Sequence, residues 1–305
     1  MNPKPDIHPM NTLRNRSPYL ANGRSPHDTD PALTASGESL YERVTLHGVT
    51  LHLPPPNSTA DTAFIGQESL VTACEAAWAT GLAFALESPP GNGKTTLAAH
   101  LAQRAGQPLY TIQGHEELTP EDLVVTARIS GSGDVEYVGS PLLAAMMRGG
   151  VALFDEIAKA PARALATLVP VLDDRRSISS VLAGITVRAH PSFKFCATLN
   201  PSDSARQPLP DYIDERLRPL LQLPRPDAES IVRIVLNAGG ARADVNLLKA
   251  FREWLSAATE VSPRAALKVF RYATALLLNE PSLPANAIAQ ASVAVMGSQH
   301  GRAGV

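Results

Sequence analysis

Residues 87–96 read ESPPGNGKTT. Two prolines, two glycines and an asparagine lead directly into a lysine and two threonines. The stretch before them, LAFAL at 82–86, is apolar and short enough for a buried strand, and the stretch after, TTLAAHLAQRA at 95–105, has helical spacing. The small residues therefore sit on a strand-to-helix turn that ends with a cation at a helix N-terminus, where the macrodipole disfavours positive charge. An anion bound at the turn removes the conflict. In the phosphate-binding pattern G-x-x-x-x-G-K-[ST], backbone N–H groups wrap the anion and the helix N-terminus adds positive potential. The match here is Ser88-Pro89-Pro90-Gly91-Asn92-Gly93-Lys94-Thr95, followed by Thr96, with Ser88 in place of the first glycine. The pattern predicts that Gly93 lets the backbone approach the phosphates, that Lys94 reaches the outer ones and that Thr95 ligates magnesium.

A second run, VALFDE at 151–156, places two acids after four apolar residues. It reads as a buried parallel strand whose C-terminal end carries the acids, the end at which open α/β sheets bind ligands; two solvated acids starting a loop are the plain alternative. Successive strand residues point opposite ways, so Asp155 is expected to face the magnesium and Glu156 a water that needs activating. A third run, FKFCATLN at 193–200, ends in Asn200, whose amide is suited to hold the attacking water or the γ-phosphate. Asn-Pro is equally a turn signal. Ser262-Pro263-Arg264 reads as a helix start with Arg264 in the first turn, where a nearby phosphate would offset the unfavourable dipole; an arginine reaching solvent is the plain alternative. Asp214-Glu215-Arg216-Leu217-Arg218 by itself reads as a solvated helix end with local ion pairs.

These residues need a scaffold. Apolar strands at 82–86, 108–112, 151–154, 193–199 and 220–223 alternate with helical patterns, which predicts an α/β fold with a mostly parallel sheet flanked by helices. In the helical stretch before the first of these strands, Leu70, Val71, Cys74, Ala77 and Trp78 share one face. Upstream, alternation around His47-Gly48 predicts a small hairpin. Beyond Pro226 strand signals stop, and helices are expected at 228–237, 245–258, 263–278 and 285–297. The expected organisation is an N-terminal arm over 1–40, rich in Pro, Asn, Ser and Asp and read as disordered, then an α/β nucleotide-binding domain over 41–225 and a small all-helical lid over 226–305.

The bulk composition narrows the function classes. With 305 residues and 44% hydrophobic content, a sizeable core is available. A formal net charge of -2 gives no argument for a nucleic-acid footprint, although it leaves room for a local basic patch. The two cysteines, Cys74 and Cys196, lie in apolar patterns, as buried thiols in a reducing compartment do, and no Cys/His cluster has ligand spacing. The longest apolar stretch, about residues 76–86, falls short of a membrane span, and no secretory leader is read at the N-terminus, so the expectation is a cytoplasmic protein with no membrane insertion.

The order hairpin, IGQ, PPGNGKT, LFDE, ATLNP, DERLRP, SPRA resembles the AAA+ ATPases and, among them, the MoxR-type group that includes CbbQ- and NorQ-like proteins. GGVALFDEIAKAP, SPLLAAMMRGG and SPRA carry the branch signal, and the resemblance spans roughly residues 41–300. It implies Mg-dependent ATP hydrolysis. It also implies that Ile65, Gly66 and Gln67 form the adenine-side box, that Asn200 is sensor 1 and Arg264 sensor 2, and that Arg216 is the arginine finger reaching a neighbouring subunit, with Arg218 the runner-up. A trans finger implies a ring, usually a hexamer. The segments 116–140 and 176–190 resemble the helix-2 insert and the pre-sensor-1 hairpin, which in the family line the pore and move partners; two ordinary surface hairpins are the plain alternative. The resemblance further implies a chaperone-like role in remodelling or maturing a protein client, often with a von Willebrand factor A-domain (VWA) partner and often for metal-cofactor insertion. Against it stand an ATP-gated assembly scaffold with incidental turnover and a DNA-directed motor, the latter disfavoured by the charge. The sequence departs from the group at Ser88, Ala158, Leu217 and Val125, none of which removes a catalytic group.

Overall fold

The computed structural model describes residues 41–57, 63–130, 133–239, 244–279 and 283–297. The expected N-terminal arm lies outside them. The described chain opens with a hairpin, β1 (Glu42–Leu46) and β2 (Val49–Leu53), turned at His47-Gly48. Next come α1 (Glu68–Ala79), β3 (Phe84–Glu87), α2 (Lys94–Arg104) and β4 (Leu109–Gln113). A second hairpin, β5 (Val125–Ile129) and β6 (Val135–Gly139), precedes α3 (Pro141–Arg148) and β7 (Val151–Asp155). Two short helices, α4 (Ala162–Leu165) and α5 (Val169–Leu172), lead into a ribbon of β8 (Ser177–Ser180) and β9 (Ile185–Arg188). Then follow β10 (Lys194–Leu199), α6 (Pro201–Arg206), α7 (Asp211–Asp214) and β11 (Leu220–Gln222). Four helices complete the described chain: α8 (Ala228–Gly239), α9 (Val245–Ala257), α10 (Pro263–Asn279) and α11 (Pro284–Met296).

The central sheet has the order β11-β3-β10-β7-β4, and every pairing is parallel. Its strands are apolar runs because both faces are covered; Val151, Ala152, Leu153 and Phe154 are all completely buried. One core packs Phe84, Leu86, Leu153 and Cys196 against the expected stripe of α1 and against α2, and Trp78 Nε1 donates to Phe195 O at 3.1 Å. On the other face Phe154, Ala197 and Leu199 belong to a second core that includes Leu142, Leu143 and Met146 of α3. The helix α3 starts where Ser140 and Pro141 say it should: Ser140 Oγ accepts from Leu143 N at 3.0 Å, and Pro141 takes the first position. Because β3, β10 and β7 are adjacent and parallel, their C-terminal ends open side by side into one crevice.

The N-terminal hairpin is not a separate unit. Strand β2 pairs parallel with β6, Leu51 opposite Tyr137 and His52 opposite Val138, giving a second sheet of order β1-β2-β6-β5. Alternation within 41–53 reveals the hairpin but not this partner, because the pairing joins segments more than 80 residues apart. An isolated two-stranded hairpin is marginal in water, and the added strands and a buried face with Leu51 and Leu53 supply what it lacks. The helices α8–α11 bury a core of their own around Val235, Phe251, Trp254, Ala266 and Phe270, with Phe251 and Phe270 edge to face at 5.1 Å.

Candidate functional site

The turn between β3 and α2 ends at Gly93, the N-cap of α2, at φ 99°, with no side chain capping the helix. Among the described residues no side chain caps the first N–H groups of α2, which leaves them open to an anion. Ser88 does not adopt a positive φ, so the position where the pattern has its first glycine makes no demand for one here. The Lys94 side chain is buried, and its ammonium donates to Ser88 O at 2.6 Å, to Pro89 O at 3.3 Å and to Asn200 Oδ1 at 2.6 Å. Burial pushes the Lys94 pKa down, while Asp155 and Glu156 oppose that shift. Asn92 is also buried, and its Oδ1 has no partner among the described residues.

Thr95 Oγ1 donates to Asp155 Oδ2 at 3.0 Å, and Thr198 Oγ1 donates to Asp155 Oδ1. A hydroxyl and a carboxylate brought together at the mouth of an anion cradle are hard oxygen donors of the kind magnesium takes, so Thr95 and Asp155 fit that ion. The alternation argument fails one residue later. Strand β7 stops at Asp155, and Glu156 turns into the left-handed region at φ 56° and ψ 45°, its N–H donating to Thr198 Oγ1 at 2.8 Å. Glu156 thus reaches the crevice by a turn at the strand end and not by strand alternation. Its carboxylate accepts from Lys159 Nζ at 2.7 Å, Gln113 Nε2 at 3.0 Å and Asn200 Nδ2 at 3.3 Å. Lys159 is the main reason its pKa lies below the ordinary glutamate value, and Glu156 in turn raises that of Lys159.

Asn200 is both the turn residue before Pro201 and a member of this network. It occupies the N-cap of α6 without making a cap bond. Its Oδ1 meets the Lys94 ammonium, and its Nδ2 meets Glu156 and Asp203 Oδ2, the latter at 2.9 Å. An ammonium demands an acceptor and carboxylates demand a donor, so the partners fix the amide's orientation.

The sequence reading missed Gln113, Gly114, Lys159, Thr198 and Asp203. A Cβ on Gly114 would lie 2.2 Å from Glu156 O, so the chain leaving β4 is glycine where it presses on the acid-bearing turn. The available signal was weak: Gln113, Gly114 and Thr198 lie at or next to a strand end, Lys159 and Asp203 lie in the short helical turns that follow one, and only the strand order shows that they converge.

Ile65, Gly66 and Gln67 lie between the loop and the helical domain. The neighbouring Phe64 ring lies 3.8 Å from where a Gly93 Cβ would stand, a Cβ on Gly66 would face Ser230 Oγ of α8 at 3.5 Å, and Gln67 Nε2 donates to Pro224 O at 2.8 Å. Gln67 Oε1 is buried and without a partner among the described residues. Arg264, exposed at the start of α10, donates its backbone N–H to Gly91 O at 3.4 Å. Arg216 stands elsewhere, just before β11; its Nη1 donates to Tyr212 O at 2.7 Å, and its Nε is buried without a partner among the described residues. Arg218 pairs with Asp214. Six of the expected residues, Lys94, Thr95, Asp155, Glu156, Asn200 and Arg264, thus gather around or beside the loop, and Arg216 does not join them within one chain.

Residues 84–217 match the family described as AAA domain (dynein-related subfamily). The NorQ protein of Paracoccus denitrificans is 35% identical over 146 residues, covering 48% of this chain and 54% of that one. The denitrification regulatory protein NirQ of Stutzerimonas stutzeri is 31% identical over 154 residues, 50% and 55% of the two chains. The CbbQ protein of Hydrogenophilus thermoluteolus is 30% identical over 171 residues, 55% and 63%. The first two matches thus span about half the length of those relatives. Among solved structures, the RuvB Holliday junction branch migration motor of Thermotoga maritima superposes with a TM-score of 0.53 at 19% identity, covering 78% of this chain and 72% of that one. NtrX from Brucella abortus gives 0.56 at 18% identity, covering 74% and 54%. At those identities the likeness concerns the fold.

Proposed function

We propose a function that proceeds from one premise: residues 84–217 of this chain are an AAA domain of the MoxR-type AAA+ group. The protein hydrolyses ATP in a closed ring and uses the motion of its helical domain to remodel or mature a partner protein. The observation that carries the reading is the continuous polar network Thr95–Asp155–Thr198–Glu156–Asn200–Lys94 at the ends of three adjacent parallel strands, beside an uncapped helix N-terminus.

Phosphoryl transfer to water needs positioning and charge neutralisation more than covalent chemistry. The backbone N–H groups from Gly91 to Thr96 and the Lys94 ammonium bind the phosphates; to do so Lys94 exchanges its bonds to Ser88, Pro89 and Asn200 for phosphate oxygens. Magnesium, when bound by Thr95 and Asp155, supplies further neutralisation. Glu156 accepts the proton of the attacking water, and Asn200 holds that water or the γ-phosphate. Ile65, Gly66 and Gln67 take the adenine side. Arg264 links the helical domain to the phosphates, and Arg216, which bonds to Tyr212 O and not to the network in its own chain, serves the neighbouring subunit's site.

A ring of six is the assembly we propose, with a protein client that includes a VWA-domain partner and with metal-cofactor insertion as the outcome of remodelling. Two exposed apolar hairpin tips support contact with a protein: Val181 and Leu182 on the β8–β9 ribbon, Ile129 and Val135 on the β5–β6 hairpin. Both cysteines are free and buried, in keeping with the cytoplasm, and among the described residues no helix is long and apolar enough to cross a membrane.

The test compares wild type with Glu156→Gln. Wild type releases phosphate from Mg-ATP with a specific rate that rises with protein concentration. Glu156→Gln binds ATP but turns over at least about 10²-fold more slowly, as expected for losing a general base, and it retains the client. A protein that binds no adenine nucleotide by calorimetry, or a Glu156→Gln protein as active as wild type, overturns the reading.

A further inference from the structure

The residue proposed as the base is held by a cation that the hydrolysis scheme does not use. Glu156 Oε2 accepts from two donors, the Lys159 ammonium at 2.7 Å and the Gln113 amide at 3.0 Å, and Oε1 accepts from Asn200 at 3.3 Å. Oε2, which already accepts from an ammonium and an amide, has little lone-pair capacity left for a water proton, so while Lys159 is in place the water is left with Oε1 alone.

The backbone under this carboxylate is fixed. Glu156 N donates to Thr198 Oγ1, and the turn Ile157–Lys159 closes through Lys159 N to Glu156 O at 3.0 Å. The Lys159 side chain is different: it is 41% exposed, and Glu156 is the one partner seen for its ammonium among the described residues. So the turn holds the base still while the group that occupies it is free to swing into water.

We propose that Lys159 is a clamp on Glu156, a positioning residue that keeps the base occupied until it is displaced and thereby restrains turnover. The proposal rests on the reading of Glu156 as the base. A route for displacement is built into the chain. The turn runs into α4, where Ala162 O accepts from Tyr212 Oη at 3.2 Å, and Tyr212 O holds Arg216 Nη1 at 2.7 Å. A pull on Arg216 reaches Ala162, three residues after Lys159, through two hydrogen bonds.

The experiment measures Mg-ATP hydrolysis by phosphate release and ADP affinity by calorimetry for wild type, Lys159→Met, Lys159→Gln, Lys159→Arg and Glu156→Gln, all full length. The expected result is a kcat raised about fivefold in Lys159→Met and Lys159→Gln, equivalent to about 1 kcal/mol in the barrier. ADP affinity stays at the wild-type value, and Lys159→Arg restores the wild-type rate. A structural role alone lowers rate and affinity together, so a kcat that rises with affinity unchanged is diagnostic. If wild type turns over, Glu156→Gln does not, and Lys159→Met and Lys159→Gln are no faster than wild type, the clamp is overturned and the base stands. If wild type does not turn over, or Glu156→Gln matches it, the base itself is overturned, and the clamp with it.

Discussion

The α/β body and the helical domain hold themselves together by different means. The body concentrates buried polar chemistry at one end of its sheet: Lys94, Asn92, Thr198 and Asn200 are all buried there, and Lys94, Thr198 and Asn200 bond to one another or to the two acids. The helical domain has an apolar core of aromatic and aliphatic side chains, and it meets the phosphate loop at the start of α10, around Gly91. The comparison teaches where each kind of residue is replaceable. A polar network in a low-dielectric crevice fails when one partner is lost, because the others stay buried and unpaired. An apolar core loses stability in proportion to what is removed.

The largest effect that would test this contrast comes from Lys94→Ala. We expect phosphate release to fall at least about 10²-fold, with thermal unfolding of the helical domain, followed by circular dichroism, unchanged. A variant that loses little activity would mean the crevice is not the centre of chemistry.

Phe251→Ala attacks the other side. Phe251 is fully buried against Trp254 and Phe270, and its truncation should cost about 3–5 kcal/mol of stability. Urea unfolding should show the helical domain melting first, with hydrolysis lost as its start leaves the loop.

Gly91→Ala acts at the joint. At φ 85° an alanine is itself strained, and its methyl would stand 2.9 Å from Ser262 Oγ and 3.2 Å from Arg264 Cβ, so the loop or the start of α10 must shift. Nucleotide affinity by calorimetry should weaken about tenfold, or about 1.4 kcal/mol. Unchanged affinity would show that the two regions bind independently.

The smallest signal is chemical and sharpens the division. Burial pushes the Cys74 thiol up to about 12 and Cys196 higher still. Since thiolate is the reactive form, both stay protonated through the ordinary pH range, and iodoacetamide at pH 8 should label neither in the folded protein. Both lie in the body's core, so they should stay protected in Phe251→Ala while its helical domain opens. Labelling in step with that opening would mean the two regions unfold as one.

Much of this arrangement was readable from spacing. The apolar stripe of α1, the buried strand VALF and the Ser-Pro helix starts each depend on residues within one element, and local dihedral preferences and periodicity encode them directly. The loop from Ser88 to Thr95 was readable for the same reason, and so was the placement of Asp155 at a strand end. Glu156 was harder. The apolar run stops at Phe154, but nothing local announces that the strand continues to Asp155 and turns at Glu156. Gln113, Thr198 and Lys159 carried no usable signal, because a polar residue near a strand end is ordinary until its neighbour across the sheet is known.

By itself the sequence determined the elements, the uncapped helix entrance and the charges laid beside it, since each follows from interactions between residues a few positions apart. Only the tertiary structure decided which strand ends stand side by side, that β2 pairs with β6, and which donors crowd the Glu156 carboxylate. Those are contacts across tens of residues, made when apolar faces are buried together, and no periodicity within one segment records them.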